Sequence, residues 1–285
     1  MRGNQNKRAS IWKIAFGISI AVLAIALIAL GLILWSYYNG QKQYDELKQY
    51  TNVESKTLAD MAVDWDGLRA INSDIVGWIY IPDTVISYPI VWKENDNNYY
   101  LYHNFNNKSS SFGAEYGCIF LSGDNKSDWS DNSNFVFGHN MYNGTIFSLF
   151  SDNQSNSEWF NAHREIYILT PQGNYKCYTY AQNKVNEYAS NIAYSSFGSH
   201  TELADYVEAR RHENLVTPDP KGEESTAITK LFSFSTCSSP DSSNRVITFA
   251  YQAEFASSGS SLSDTTSVTG QDVSNVTNDS SARIE

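Results

Sequence analysis

The stretch "LFSFSTCSSP", residues 231 to 240, sets Cys237 at the end of an alternating apolar and hydroxyl run, directly before a Ser/Pro turn. A thiol in that position is held by a strand on one side and opens onto a loop on the other, a setting in which a thiolate can serve as a nucleophile. Thiol chemistry also needs a proton acceptor, and histidine is the usual one. Five are present: His103, His139, His163, His200 and His212. Four lie in polar surroundings and read as exposed histidines with no role. His139 instead closes the apolar run "NFVFG" and opens the loop "NMYNGTIF", so it shares with Cys237 a place at a strand end. A third group joins them. The seven residues "SSPDSSN" after Cys237 lead into "RVITFAY", and a strand–turn–strand layout returns Arg245 towards the cysteine, placing a guanidinium beside a thiol.

The other cysteines read differently. Cys118 in "GCIFL" and Cys177 in "YKCYTY" lie inside apolar strand-like runs, where a thiol is desolvated and inert, and are expected to be buried small hydrophobes. Three is an odd number, so at least one is free or paired between chains. No Cys/His spacing suits a metal, and "DNKSDWSD" at 124–131 lacks the spacing and glycine of a calcium loop. Neither metal nor cofactor is expected.

The elements that must position these residues follow from the pattern. Residues 41–72 place Leu58, Met61, Ala62, Trp65, Leu68 and Ile71 at three- and four-residue spacings, which predicts helix. From Ile75 the period changes to short β-type runs: "VGWIYI", "VISYPIVW", "YGCIFLS", "SNFVFGHN", "EIYILT", "NYKCYTYAQNKV", "TAITKLFSFSTC" and "NRVITFAYQAEF". Turn clusters of Asn, Asp, Ser and Gly separate them. Eight such runs predict a closed or nearly closed, antiparallel-rich barrel. One interruption, "SHTELADYVEARRHEN", carries Leu203, Tyr206, Val207 and Arg210 at helical spacing behind a Ser/Thr cap. Beyond about Ala256 the chain has almost no apolar residue, and 256–285 is expected to be a disordered tail.

Charge and the N-terminus bound the setting. The formal charge is −11, and the four basic residues before position 37, with no acid among them, leave −15 for the rest. That acidity excludes a nucleic-acid partner, which needs a basic face. Ile14 to Trp35 is 22 residues without a charge, about 33 Å of helix at 1.5 Å per residue, enough to span a hydrocarbon core of about 30 Å. Its length and its closing aromatic residues Trp35, Tyr37 and Tyr38 favour an uncleaved anchor over a signal peptide. Arg2, Lys7, Arg8 and Lys13 before the span predict a single pass with the N-terminus in the cytoplasm and the acidic bulk outside.

"FGHNM" around His139, "SFSTC" at Ser233 to Cys237, and an arginine eight positions after the cysteine together resemble the sortases, membrane-anchored extracytoplasmic cysteine transpeptidases of Gram-positive bacteria. The family's Thr-Leu-x-Thr-Cys signature falls on Ser233 to Cys237; Thr236 and Cys237 match, and the first two positions depart conservatively. The opening "WDGLRAINSDIVGWIYIPDTVISYPIV" and the helical insert near 201–212 are similar to class B in particular. The resemblance spans about residues 55–255. It implies a mainly β, sortase-like eight-stranded β-barrel with N-terminal helices and a helical insert, preceded by one transmembrane helix. The domains are then a cytoplasmic 1–13, an anchor 14–36, a juxtamembrane helical linker 37–54, a catalytic domain 55–255 and the tail.

The resemblance also implies roles. Cys237 would attack the carbonyl carbon of a threonine in the C-terminal sorting signal of a surface protein, giving a thioester. His139 would act as general acid and base, Arg245 would hold the oxyanion or substrate carbonyl, and Ser235 and Thr236 would bind substrate. The acceptor would be an amine of a lipid-linked peptidoglycan precursor or of a pilin subunit's lysine. "FLSGDN" after Cys118 and Pro240 after the signature depart from the family, which bears on substrate preference. Two rival readings of the residues are a secreted thiol peptidase that only hydrolyses and a non-enzymatic, membrane-anchored wall-binding β-module in which Cys237 is incidental.

Overall fold

The structure, a computed structural model, describes residues 3–109, 117–189, 192–238 and 243–258. The apolar run and the "QKQYDEL" that follows it form one continuous helix, α1 (Gly3–Leu47). Large apolar side chains from Trp12 to Trp35 are exposed, and the helix is long and apolar enough to cross a membrane. Past Trp35 one side of α1 turns inward: Tyr37 and Gln41 are half-buried, and Tyr44 and Leu47 are buried.

The helix predicted over 41–72 is broken after Leu47. A 3₁₀ turn, Lys48–Tyr50, leads into strand β1 (Thr51–Asn52), which pairs antiparallel with β2 (Ala62–Val63). Helix resumes as α2 (Trp65–Ile71). Side chains divert the intervening backbone. Thr57 and Asp64 accept the N–H groups of Asp60 and Gly67, and Asn174 Nδ2 takes the carbonyls of Leu58 and Met61. Leu58, Met61 and Leu68 still reach the core and Trp65 packs against it, whereas Ala62 and Ile71 are exposed, so the helical spacing reported burial in part and not a single helix.

The barrel follows in chain order: β3 (Ile75–Tyr80), β4 (Ser87–Trp92), helix α3 (Tyr99–Tyr102), β5 (Ile119–Leu121) and β6 (Ser133–Phe137). Helices α4 (Ser148–Asp152) and α5 (Ser157–Ala162) precede β7 (Glu165–Thr170) and β8 (Gly173–Asn186). Helix α6 (His200–His212), β9 (Leu231–Cys237) and β10 (Asn244–Ser257) complete it. The eight strands close in the order β10-β8-β7-β3-β4-β5-β6-β9. Pairing is antiparallel except at β4–β5 and β6–β9. Closure leaves no sheet edge, and register shifts in the long β8–β10 pair supply local bending.

Alternation divides the strands between two apolar regions. Trp78, Ile90, Val136, Phe232, Phe234 and Ala250 belong to the main core, whereas Phe135, Leu231, Ile247 and Phe249 lie on the opposite face under Leu203, Tyr206 and Val207 of α6. Each such side chain removed from water contributes about 1.5–3 kcal/mol. Ser199 caps α6 by accepting the Glu202 N–H, and the Glu202 carboxylate accepts from the Gly198 N–H, which fixes where the insert starts. At the C-terminus, β10 takes in Ala256 and Ser257, which pair with Asn174 and Gly173, so the first residues assigned to the tail belong to the barrel. The rest of the expected tail, 259–285, lies outside the described residues, as does Pro240.

Candidate active site

Three strands deliver the three candidate side chains to one end of the barrel. β10 pairs antiparallel with β9 so that Arg245 is the direct partner of Cys237. β6 runs parallel to β9 with Phe137 opposite Ser235. The ladder continues one step further, because the Gly138 N–H donates to the Ser235 carbonyl at 3.1 Å, and His139 therefore emerges level with Cys237. Cys237 and Arg245 also share a face. Both are in phase with Leu231, Ile247 and Phe249, the residues that α6 covers, while the intervening Phe234 points into the core. Cys237 is half-buried at this end, neither sealed in the core nor fully in water.

Hydrogen bonds hold each member. His139 Nε2 lies 2.7 Å from the Leu101 carbonyl in α3. A carbonyl only accepts, so Nε2 carries a proton and Nδ1 is the ring nitrogen left for proton transfer. The carbonyl of His139 accepts the Phe147 N–H at 3.0 Å, fixing the loop on its other side. Asn140 Nδ2 donates to the Cys237 carbonyl at 3.0 Å and to Ser151 Oγ at 3.1 Å, tying the histidine loop to the cysteine strand and to α4. Arg245 is oriented by Glu187: Nη2 lies 2.9 Å from Oε2 of that carboxylate, and Nη1 donates to the Asn244 carbonyl at 3.2 Å.

The two signature residues before the cysteine are placed differently. Ser235 is in phase with Cys237 but 3% exposed. Thr236 is 2% exposed and in phase with Phe234, so its hydroxyl lies on the core side of β9, with no hydrogen-bond partner among the described residues. That orientation removes the Thr236 side chain from the face that carries the thiol.

The remaining cysteines are chemically quiet. Both are fully buried and unpaired. Burial pushes the Cys118 thiol up to about 12, against a smaller opposing effect from the Tyr44 hydroxyl, and burial likewise raises Cys177 well above the ordinary thiol value. Among the described residues no group of His, Cys, Asp and Glu could hold a metal.

Sequence reasoning missed the supports: the Leu101 carbonyl, Asn140, Ser151 and Glu187. Glu187 alone left a signal, since an acid directly after the strand that pairs with "NRVITF" falls beside Arg245 once that pairing is known. The others depend on contacts 11 to 97 residues apart in sequence.

The geometry can be set against known proteins. No family model matches the chain. It is 29% identical over 230 residues to sortase B of Listeria monocytogenes, covering 77% of this chain and 88% of that protein. Against sortase B of Staphylococcus aureus it is 22% identical over 224 residues, covering 76% and 86%. The solved structure of Clostridium perfringens sortase B is similar at a TM-score of 0.58 with 26% identity, covering 66% of this chain and 99% of that one.

Proposed function

We propose that the chain, similar in sequence and fold to class B sortases, is a membrane-anchored cysteine transpeptidase of that kind in which Cys237, His139 and Arg245 do the chemistry. The observation that carries the assignment is the register: Arg245 opposite Cys237, with His139 entering level with the thiol from the neighbouring parallel strand.

The steps follow from the groups. The Cys237 thiol gives its proton to His139 Nδ1, the thiolate attacks the carbonyl carbon of a threonine in a C-terminal sorting signal, and the carbonyl electron pair moves to oxygen. Arg245 donates hydrogen bonds to that oxyanion. As the C–N bond breaks, the His139 imidazolium protonates the leaving amine through Nδ1, leaving a thioester on Sγ and a neutral ring. An incoming amine attacks the thioester and gives its proton to Nδ1; the C–S bond breaks and the thiolate returns. No cofactor enters the balance. The substrate is a surface protein bearing the sorting signal, and the acceptor is an amine of a lipid-linked peptidoglycan precursor or a pilin lysine. Residues 1–13 then lie in the cytoplasm, 14–36 cross the membrane once, and the domain from about 55 to 255 works outside, held near lipid-linked acceptor. Turnover of a sorting peptide with and without an added amine tests this. An amide-linked product with the amine supports transfer, and hydrolysed peptide alone under both conditions refutes it.

A further inference from the structure

Helix α1 does more than lead the chain out of the apolar segment, because its last turns are built into the wall behind His139. Tyr44 is 2% exposed, and its hydroxyl donates to the Gly117 carbonyl at 2.6 Å and touches Cys118 Sγ at 3.3 Å. Its ring meets Tyr88 edge-on at 5.4 Å between centroids. Gly117 is pressed against α3: a Cβ there would lie 2.4 Å from the Tyr100 carbonyl oxygen, 2.7 Å from that of Leu101 and 3.0 Å from His139 Cδ2. The Cys118 N–H also donates to the Tyr100 carbonyl at 2.8 Å. Tyr44 thus holds the segment that seats the Leu101 carbonyl, and that carbonyl holds His139 Nε2.

A second route runs beside the first. The Tyr88 hydroxyl donates to Gln41 Oε1 of α1 at 3.5 Å and accepts the Ile146 N–H at 3.4 Å. Ile146 is bridged to Asn140 and precedes Phe147, whose N–H binds the His139 carbonyl. Side chains of α1 one turn apart, Gln41 and Tyr44, therefore reach both the ring and the backbone of the same histidine.

We propose that Tyr44 is a positioning residue for His139, making the end of the anchor helix a structural part of the catalytic site. The inference rests on the assignment of His139 as the acid–base group. Because α1 is continuous from Gly3 to Leu47, the orientation of the domain on its anchor and the seating of the histidine are set by one rigid element.

The test uses the full chain in detergent, with Tyr44→Phe, which keeps the ring and removes the hydroxyl. Single-turnover acylation of Cys237 is expected to fall about tenfold with the KM for sorting peptide unchanged, as expected for a small misplacement of a reacting group. The pH profile of Cys237 alkylation is expected to shift as the hydrogen bond to the ring loosens. In a His139→Ala background the same substitution should change the residual rate by less than about twofold, since two residues acting through one group are not additive. Equal fold-losses in both backgrounds, or an unchanged rate and pH profile in Tyr44→Phe, would overturn the proposal. Should His139→Ala alone leave acylation unchanged, the assignment of His139 fails, and the positioning role with it. Tyr88→Phe provides the second variant, with the same expected split between kcat and KM.

Discussion

Replacing Arg245 by lysine separates charge from directed hydrogen bonding at the residue opposite Cys237. The structure sets the two magnitudes apart. The Arg245–Glu187 pair has side chains 30% and 28% exposed at 2.9 Å, so weakening it costs no more than about 1 kcal/mol of stability. Lysine keeps the charge but offers one compact ammonium instead of a planar fork, and cannot reproduce contacts from Nη1 and Nη2 to separate partners. If the guanidinium meets the developing oxyanion, losing that donor geometry costs about 2.7–4 kcal/mol, a factor of about 10²–10³ in acylation. The expected result is a large loss in single-turnover rate with a small change in urea midpoint. Glu187→Gln, which keeps Arg245 and removes its orienting charge, should fall between the parent and Arg245→Lys. Acylation within about threefold of the parent in Arg245→Lys would refute the hydrogen-bonding role and leave only a through-space effect of charge.

His139→Ala should slow acylation by at least about 10²-fold, the usual reach of general acid–base catalysis, measured by quenched flow. A maleimide or iodoacetamide probe at pH 8 should label Cys237 alone in the folded chain, because Cys118 stays protonated to about pH 12 and is sealed from solvent; peptide mapping checks it. Lys230 is held largely by burial down at about 8, with Nζ donating to the Trp129 and Asp131 carbonyls. Between about pH 8 and pH 10 the unfolded chain therefore binds more protons at this residue than the folded one, so its contribution to stability rises with pH. Lys230→Met should flatten the pH dependence of the urea midpoint across that window.

The strands were legible because each carries its own signal. "EIYILT" became β7 residue for residue, and "NYKCYTYAQNKV" lies within β8, since alternation and flanking turn residues are local properties. The run "TAITKLFSFSTC" became strand only from Leu231, because Ser225–Ala227 forms a 3₁₀ turn and Lys230 is drawn to the Trp129 and Asp131 carbonyls. Cys237, His139 and Arg245 were readable as strand ends, and the strand–turn–strand layout brought Arg245 to Cys237, but the strand neighbour that brings His139 to them was not readable. The parallel β6–β9 pair joins segments almost a hundred residues apart, and period-2 alternation says nothing about which strand is a neighbour. Helices α4 and α5 were missed because five or six residues are too few for a 3.6-residue period to show. The amphipathic spacing across 41–72 misled for a related reason: periodicity reports burial, and several short elements bury Leu58, Met61 and Leu68 without forming one helix.

The site that carries the acyl group tests the mechanism most directly. Incubating the full chain in detergent with a library of sorting-signal peptides, quenching in acid and mapping the digest by mass spectrometry locates any thioester. The prediction is one acyl adduct, on Cys237, lost when an amine acceptor is added and replaced by an amide-linked product of matching mass. An adduct on Cys118 or Cys177, or turnover that persists in Cys237→Ala, would contradict it.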